Sequence, residues 1–290
     1  MEKHIFRFGN SSLGIIVPKK WADKCKLNAN SPVYVSENNK GDLVLSAVEQ
    51  GEVELAKSVS RKIPPEVLVR WIAVYYMYGV GKLRIVSEDG FTDEQASAVQ
   101  KEIKDECPGF EVIAQTNSEI RIEDLTNLKE IDLDKILMRL SSLLQQEFLE
   151  IEQGNYSTVG RLEELVDRFY MLGIRYVNIV QPSNMIKYYR TIQLAEMIAD
   201  NLETLFSIGV EPRYKAIIAK LHRELDLIFK GFGGDDKAIA EVSALTKELR
   251  ESIASMRTDP IHKKLLKEVA TYMAQISELG LLRENEEPFV

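Results

Sequence analysis

From Asp132 to about residue 282, apolar residues recur at the spacing of amphipathic helices, and only short Gly- or Pro-containing breaks interrupt them. The breaks fall near Gly154, Pro182, Gly209 to Pro212, Gly231 to Gly234 and Asp259-Pro260. They predict six helices, over about 132–153, 157–180, 183–209, 212–230, 235–257 and 260–282. Connections this short make sequence neighbours antiparallel. Ser157 and Asp259 suit N-caps, and Pro260 suits the first helical position after Asp259. Residues 130–284 are therefore expected to form an all-α six-helix bundle of two three-helix repeats, a duplication too degenerate to show as sequence identity.

Two of these helices carry the same short acidic pattern, Glu163-Glu164-Leu165-Val166-Asp167 and Glu196-Met197-Ile198-Ala199-Asp200. A spacing of four puts each Glu/Asp pair one turn apart on one face. Positions 167 and 196 have their midpoint at 181.5, and so do 163 and 200, at the Gln181-Pro182 break. An antiparallel hairpin turning there sets Asp167 opposite Glu196 and Glu163 opposite Asp200. Four carboxylates so gathered repel one another unless a cation neutralises them. Oxygen-only ligands suit a divalent metal such as Mg²⁺ or Mn²⁺, or iron. The other reading is four solvated flank residues beside apolar stripes. Folding the last two helices about Asp259 sets Ala240 and Ala244 opposite Ser277 and Met273, so the second repeat has no matching acids.

The first fifty residues follow a different rule. His4 to Phe8 and Leu13 to Val17 are β-prone runs about a Gly9-Asn10-Ser11-Ser12 turn, and Pro18 ends the second. Lys19 to Lys26 is a helical turn or two, with Trp21 and Ala22 inward. Val33 to Val35 and Leu43 to Leu45 flank a second hairpin turn, Asn38 to Asp42. Two hairpins and one short helix are too little to bury a core, so a second chain is expected to complete it. Residues 48–62 are polar and mixed in charge, ahead of Pro64-Pro65, and are expected to be a boundary. Residues 62–126 then read as an α+β segment: helices over Val67 to Tyr78 and Asp93 to Glu106, and strands over Lys82 to Val86, Phe110 to Ala114 and Glu119 to Ile122. Gly79-Val80-Gly81-Lys82 lacks the spacing and the Ser/Thr of a phosphate-binding loop.

These residues carry two family resemblances. GNSSLGIIVPKKWADKCKL, with SPVYVSENNKGDLVLS after it, resembles the AbrB/MazE/SpoVT swapped-hairpin domain across nearly all of residues 3–47. The resemblance implies an all-β module at residues 1–48 that forms a homodimer by interleaving hairpins and presents basic residues to DNA. Carried over position by position, the DNA-binding residues are Arg7, Asn10, Ser11, Lys19 and Lys20, with Lys24 on the short helix beside them. Ile16 stands where many DNA-binding members have a basic residue. Ala29-Asn30-Ser31 replaces the usual Pro-Gly-Asp, so Asn30 must supply any left-handed turn conformation. The helical segment, with its paired acids and AEMIADNLETL, resembles PhoU, the phosphate uptake regulator, whose E/D-xxx-D motifs hold metal clusters on paired helices. The implied metal ligands are Glu163, Asp167, Glu196 and Asp200. The combination is similar to archaeal PhoU-like regulators, in which the middle segment would be a spacer or ligand-sensing module.

Charge and composition fit that organisation. Residues 1–50 carry a balance of +2 and the remaining 240 residues −10, a basic tip on an acidic body that directs nucleic acid to the tip. Cys25 and Cys107 have no disulfide or zinc spacing, and no apolar run is long enough for a membrane span or a signal peptide, so a cytoplasmic protein without membrane insertion is expected. His4, His222 and His262 lie in different segments, and no Glu-x-x-His accompanies the acids, which argues against a di-iron oxygenase. His222, Glu224 and Asp226 read as an exposed helix face, while Met171 and Tyr188-Tyr189-Arg190 read as packing residues. No nucleophile or general-acid motif points to an enzyme. The expected function is a phosphate-responsive regulator that binds DNA through its dimeric first module and senses or docks through its bundle, with a phosphate transporter ATPase or a sensor kinase as partner. An adaptor that only dimerises through residues 1–48 is the alternative, and a metal-dependent phosphohydrolase the third reading.

Overall fold

A computed structural model describes residues 3–9, 12–37, 43–47, 53–126, 131–182, 184–210, 212–232 and 235–281. They fall into two units, Met1–Gly51 and Glu52–Val290.

In the first unit β1 (Ile5–Phe8) pairs antiparallel with β2 (Ser12–Ile15), setting Ile5 against Ile15 and Arg7 against Leu13. Pro18 stands at the N-cap of α1 (Lys19–Lys24), as its missing N–H favours. β3 (Tyr34–Glu37) and β4 (Leu43–Ser46) form a second antiparallel ladder. Asn30 adopts φ +77°, the left-handed conformation that the sequence required of it. The pleat puts Ile5, Leu13 and Ile15 on one face of the first hairpin and Phe6 and Phe8 on the other. Both faces are apolar, and no residue whose burial is described between 3 and 47 is buried.

The second unit opens with β5 (Val53–Val59), inside the stretch expected to be a boundary. β5 runs parallel to β6 (Val80–Ser87) through the crossover helix α2 (Pro65–Met77); α3 (Asp93–Glu106), β7 (Phe110–Gln115) and β8 (Glu119–Asp124) follow, giving the strand order β5-β6-β8-β7. The strand is disguised because Lys57 occupies an inward position, its ammonium 4.3 Å from the centre of the Trp71 ring. Leu68, Ile72 and Tyr76 of α2 and Val99 and Ile103 of α3 bury one sheet face, packing with Leu83, Ile85, Ile120 and Ile122. Thr92 and Gln95 form a reciprocal capping box at the start of α3.

Six helices complete the unit: α4 (Leu133–Gln153), α5 (Tyr156–Val180), α6 (Met185–Ser207), α7 (Lys215–Phe232, after a 3₁₀ turn at Pro212–Tyr214), α8 (Asp236–Ser255) and α9 (Pro260–Gly280). Their bounds lie within about three residues of the sequence expectation, because the Gly and Pro breaks act as helix stops. Asp259 caps α9 through the Ile261 amide. Ser157 does not cap α5: the helix already begins at Tyr156, and Asn155 holds the N-cap position without a side-chain bond. α4, α5 and α6 pack on one another, α7, α8 and α9 do the same, and α6–α9 and α4–α7 contacts join the two halves. Leu140, Leu144, Phe148, Ile198, Leu202, Leu221, Leu225 and Val269 are wholly buried in the resulting core.

Candidate metal centre on the α5–α6 hairpin

The chain reverses at Gln181, whose φ of +49° ends α5 in a left-handed C-cap, and Pro182 accompanies the turn. The reversal lays α5 and α6 side by side, and Glu163, Asp167 and Asp200 each bring a carboxylate oxygen within 4.8 Å of the others. Glu163 and Asp167 share a hydrogen bond. Glu196 is outside this trio, one turn along α6, where the charges of Asp200 and Asp167 act on it. Glu163, Asp167 and Glu196 are half-buried and Asp200 is exposed, so the group lies at the bundle surface but is not fully solvated.

Burial and mutual repulsion together drive these acids toward protonation. Partial burial first, then the Asp167, Glu203 and Asp200 charges, push Glu163 up to about 8. Glu196 is pushed up to about 7 by burial and by Asp200 and Asp167. Burial raises both aspartates as well, although each accepts a hydrogen bond from its neighbouring glutamate that opposes the rise. A cation would replace these protons, since its charge favours the ionised form of every carboxylate around it. Three carboxylate oxygens at this spacing form an oxygen-only donor set of the kind hard divalent ions take.

Three further acids adjoin the cluster. Glu203 of α6 contributes charge to Glu163 and Asp167, and it also lines a cavity of about 350 Å³ with Val159, Gly160, Phe206 and Gly209. Glu106, at the last turn of α3, is raised to about 7 by burial and then by Asp167, which brings the α+β segment to the rim of the site. Glu147 of α4 is wholly buried. It lies three residues after Leu144 and four before Ile151, in the apolar stripe of α4; an acid at a core position of the helical period is the signal that marks it.

The α+β segment holds α5 in place through Arg175. This buried guanidinium donates to Asp124 of β8 at 2.5 Å and to the Tyr76 carbonyl at 2.6 Å, and it packs against the Tyr76 and Phe110 rings. Asn178 donates to the Met77 carbonyl. Two carbonyls at the C-terminal end of α2 thereby accept from side chains of α5, that of Tyr76 in addition to the Gly79 amide.

Ala240 and Ala244 of the second half are exposed and Met273 is wholly buried, and among the described residues no metal-ligating group is found in α7, α8 or α9. Glu224 corrects the sequence reading: it is wholly buried and accepts a hydrogen bond from Thr246 rather than standing on an exposed face. His222 is half-buried, stacked on Phe148 and hydrogen-bonded to Glu152. Met171 and Tyr188 are buried, as packing residues should be, whereas Tyr189 is exposed and Arg190 half-buried.

Of the residues expected at DNA, Arg7 on β1 and Lys19, Lys20 and Lys24 on α1 are all exposed. Asn10 and Ser11 lie outside the described residues. Among the described residues no helix is long and apolar enough to cross a membrane. No family model matches the chain, and no curated protein or solved structure matches it either.

Proposed function

We propose that the chain is a phosphate-responsive regulator of the PhoU-like kind, in which the α5–α6 hairpin holds a divalent cation and the first unit, as a dimer, contacts DNA. The observation that carries the reading is the convergence of Glu163, Asp167 and Asp200 across the Gln181 reversal. A hard cation held by carboxylates keeps further coordination positions for phosphate oxygens, so metal and anion would be bound together. The sequence carries no recognisable nucleophile motif beside these acids, which favours sensing over hydrolysis.

The exposed apolar faces of the β1–β2 hairpin support a second copy as the partner of the first unit, and the exposed Arg7, Lys19, Lys20 and Lys24 support phosphate-backbone contacts. Ile16, exposed and apolar, favours the adaptor alternative, in which this unit only dimerises. Fluorescence anisotropy of the full chain with duplex fragments at two salt concentrations separates the two. The DNA reading expects binding that weakens steeply as salt rises and is diminished by Lys19→Ala with Lys20→Ala. Absence of binding at low salt leaves the adaptor, docked on a transporter ATPase or kinase.

A further inference from the structure

Glu147 is the least satisfied polar group near the cluster. Its side chain has no exposure, and neither carboxylate oxygen has a hydrogen-bond partner. The helix that carries it packs against both α5 and α6. The charges of Glu163, Glu203, Asp167 and Asp200 act on Glu147, which faces them from α4 but stands outside the trio whose oxygens lie within 4.8 Å of one another. A carboxylate withdrawn from water without a partner is strongly disfavoured, and a proton, a hydrogen-bond donor or a positive ion relieves it.

The second half of the bundle offers an internal comparison. Glu224, on the first helix of that half, is also wholly buried, and one of its oxygens accepts the Thr246 hydroxyl of α8. In the first half α5 and α6 bring four more carboxylates in place of such a donor. Ionised carboxylates cannot satisfy another carboxylate; an arrangement of this kind is favourable around a positive charge.

We propose that Glu147 is the inner ligand of the cation site, so that a Mg²⁺- or Mn²⁺-class ion ties α4 to α5 and α6 instead of resting on the α5–α6 surface alone. The inference rests on the cation reading of the preceding section and adds a ligand to it. Binding of such an ion fastens all three helices of the first half. Because the ion is bound only by the folded chain, it raises thermal stability in proportion to the logarithm of its concentration.

The test is titration of the full chain, stripped with a chelator, with Mn²⁺ as probe. Free Mn²⁺ is followed by electron paramagnetic resonance, and the melting temperature is recorded at each point. Glu147→Gln keeps the shape and removes the charge; Glu147→Leu fills the place with an apolar side chain. Both are expected to weaken Mn²⁺ binding at least about tenfold, the effect expected when a metal site loses an important partner. Glu147→Leu is also expected to melt higher than the wild type without metal and to lose the Mn²⁺-dependent rise. Wild-type affinity in a folded Glu147→Gln protein overturns the proposal and leaves the surface site standing. Absence of Mn²⁺ binding by the wild type overturns the cation reading and this inference with it. If Glu147→Gln does not fold, Glu147→Asp takes its place, and unchanged affinity there is equally fatal.

Discussion

Arg175 shows how one side chain can fix the position of a whole element. Its guanidinium is enclosed by Asp124, the Tyr76 carbonyl and two aromatic rings, with side-chain exposure of only 2% beside 7% for the aspartate. Removing one member of a buried pair strands the other charge away from water, which costs about 3–5 kcal/mol. Arg175→Ala is therefore expected to lower the unfolding free energy by that amount in urea titrations; a loss below about 1 kcal/mol would show that the pair does not hold α5. Lysine will not rescue it, because a single ammonium cannot span the carboxylate and the carbonyl as the planar fork does. No sequence pattern points to this residue. Its partners lie 51 and 99 positions away, and an arginine in a helix ordinarily reads as solvent-facing. Glu147 was more accessible, since it breaks the apolar period of α4, but only the absence of any partner makes that break chemically meaningful.

At the scale of elements, the α5–α6 hairpin was readable because two acidic patterns mirror one another about a turn marked by proline. Helix stops are local, so the six helices could be placed from the Gly and Pro positions. β5 was not readable, because Lys57 spends its hydrocarbon stem on Trp71 and counts as polar in any pattern. Nor was the exact membership of the cluster: Glu196 faces the group without joining the close trio. The hairpin carries a pH prediction. Burial and repulsion raise Glu163 to about 8 and Glu196 to about 7, from an ordinary 4.5. Between about pH 4.5 and 8 the native chain binds more protons than the unfolded one, so the stabilisation present below that window is lost as pH rises through it. Melting of chelator-treated protein is expected at progressively lower temperature from about pH 5 to about pH 8, and saturating Mn²⁺ should flatten the trend by replacing the protons. A melting temperature that climbs over the same interval in the stripped protein would contradict the crowding of these acids.

For the whole molecule, the two units solve the burial problem differently. The bundle and its α+β neighbour each enclose a core, whereas the described residues of the first unit bury nothing and leave Ile5 65%, Phe8 71% and Leu13 72% exposed. The expectation of a second chain comes from length alone, since two hairpins cannot bury a core. Light scattering is expected to give twice the monomer mass for the full chain and the monomer mass for Leu13→Asp with Ile15→Asp, while the far-ultraviolet helical signal is retained. A monomeric wild type would remove the dimer. Charge is divided in the same way, +2 over residues 1–50 against −10 over the rest, so a nucleic acid would be attracted to the first unit and repelled by the second.

The phosphate-responsive role of the bundle depends on whether the acids between α5 and α6 hold an ion. Equilibrium dialysis of the full chain against Mn²⁺, beside Glu163→Gln with Asp200→Asn, decides it. Saturable uptake by the wild type and its loss in the folded double variant is the predicted result; equal uptake by both, or none by either, would contradict it.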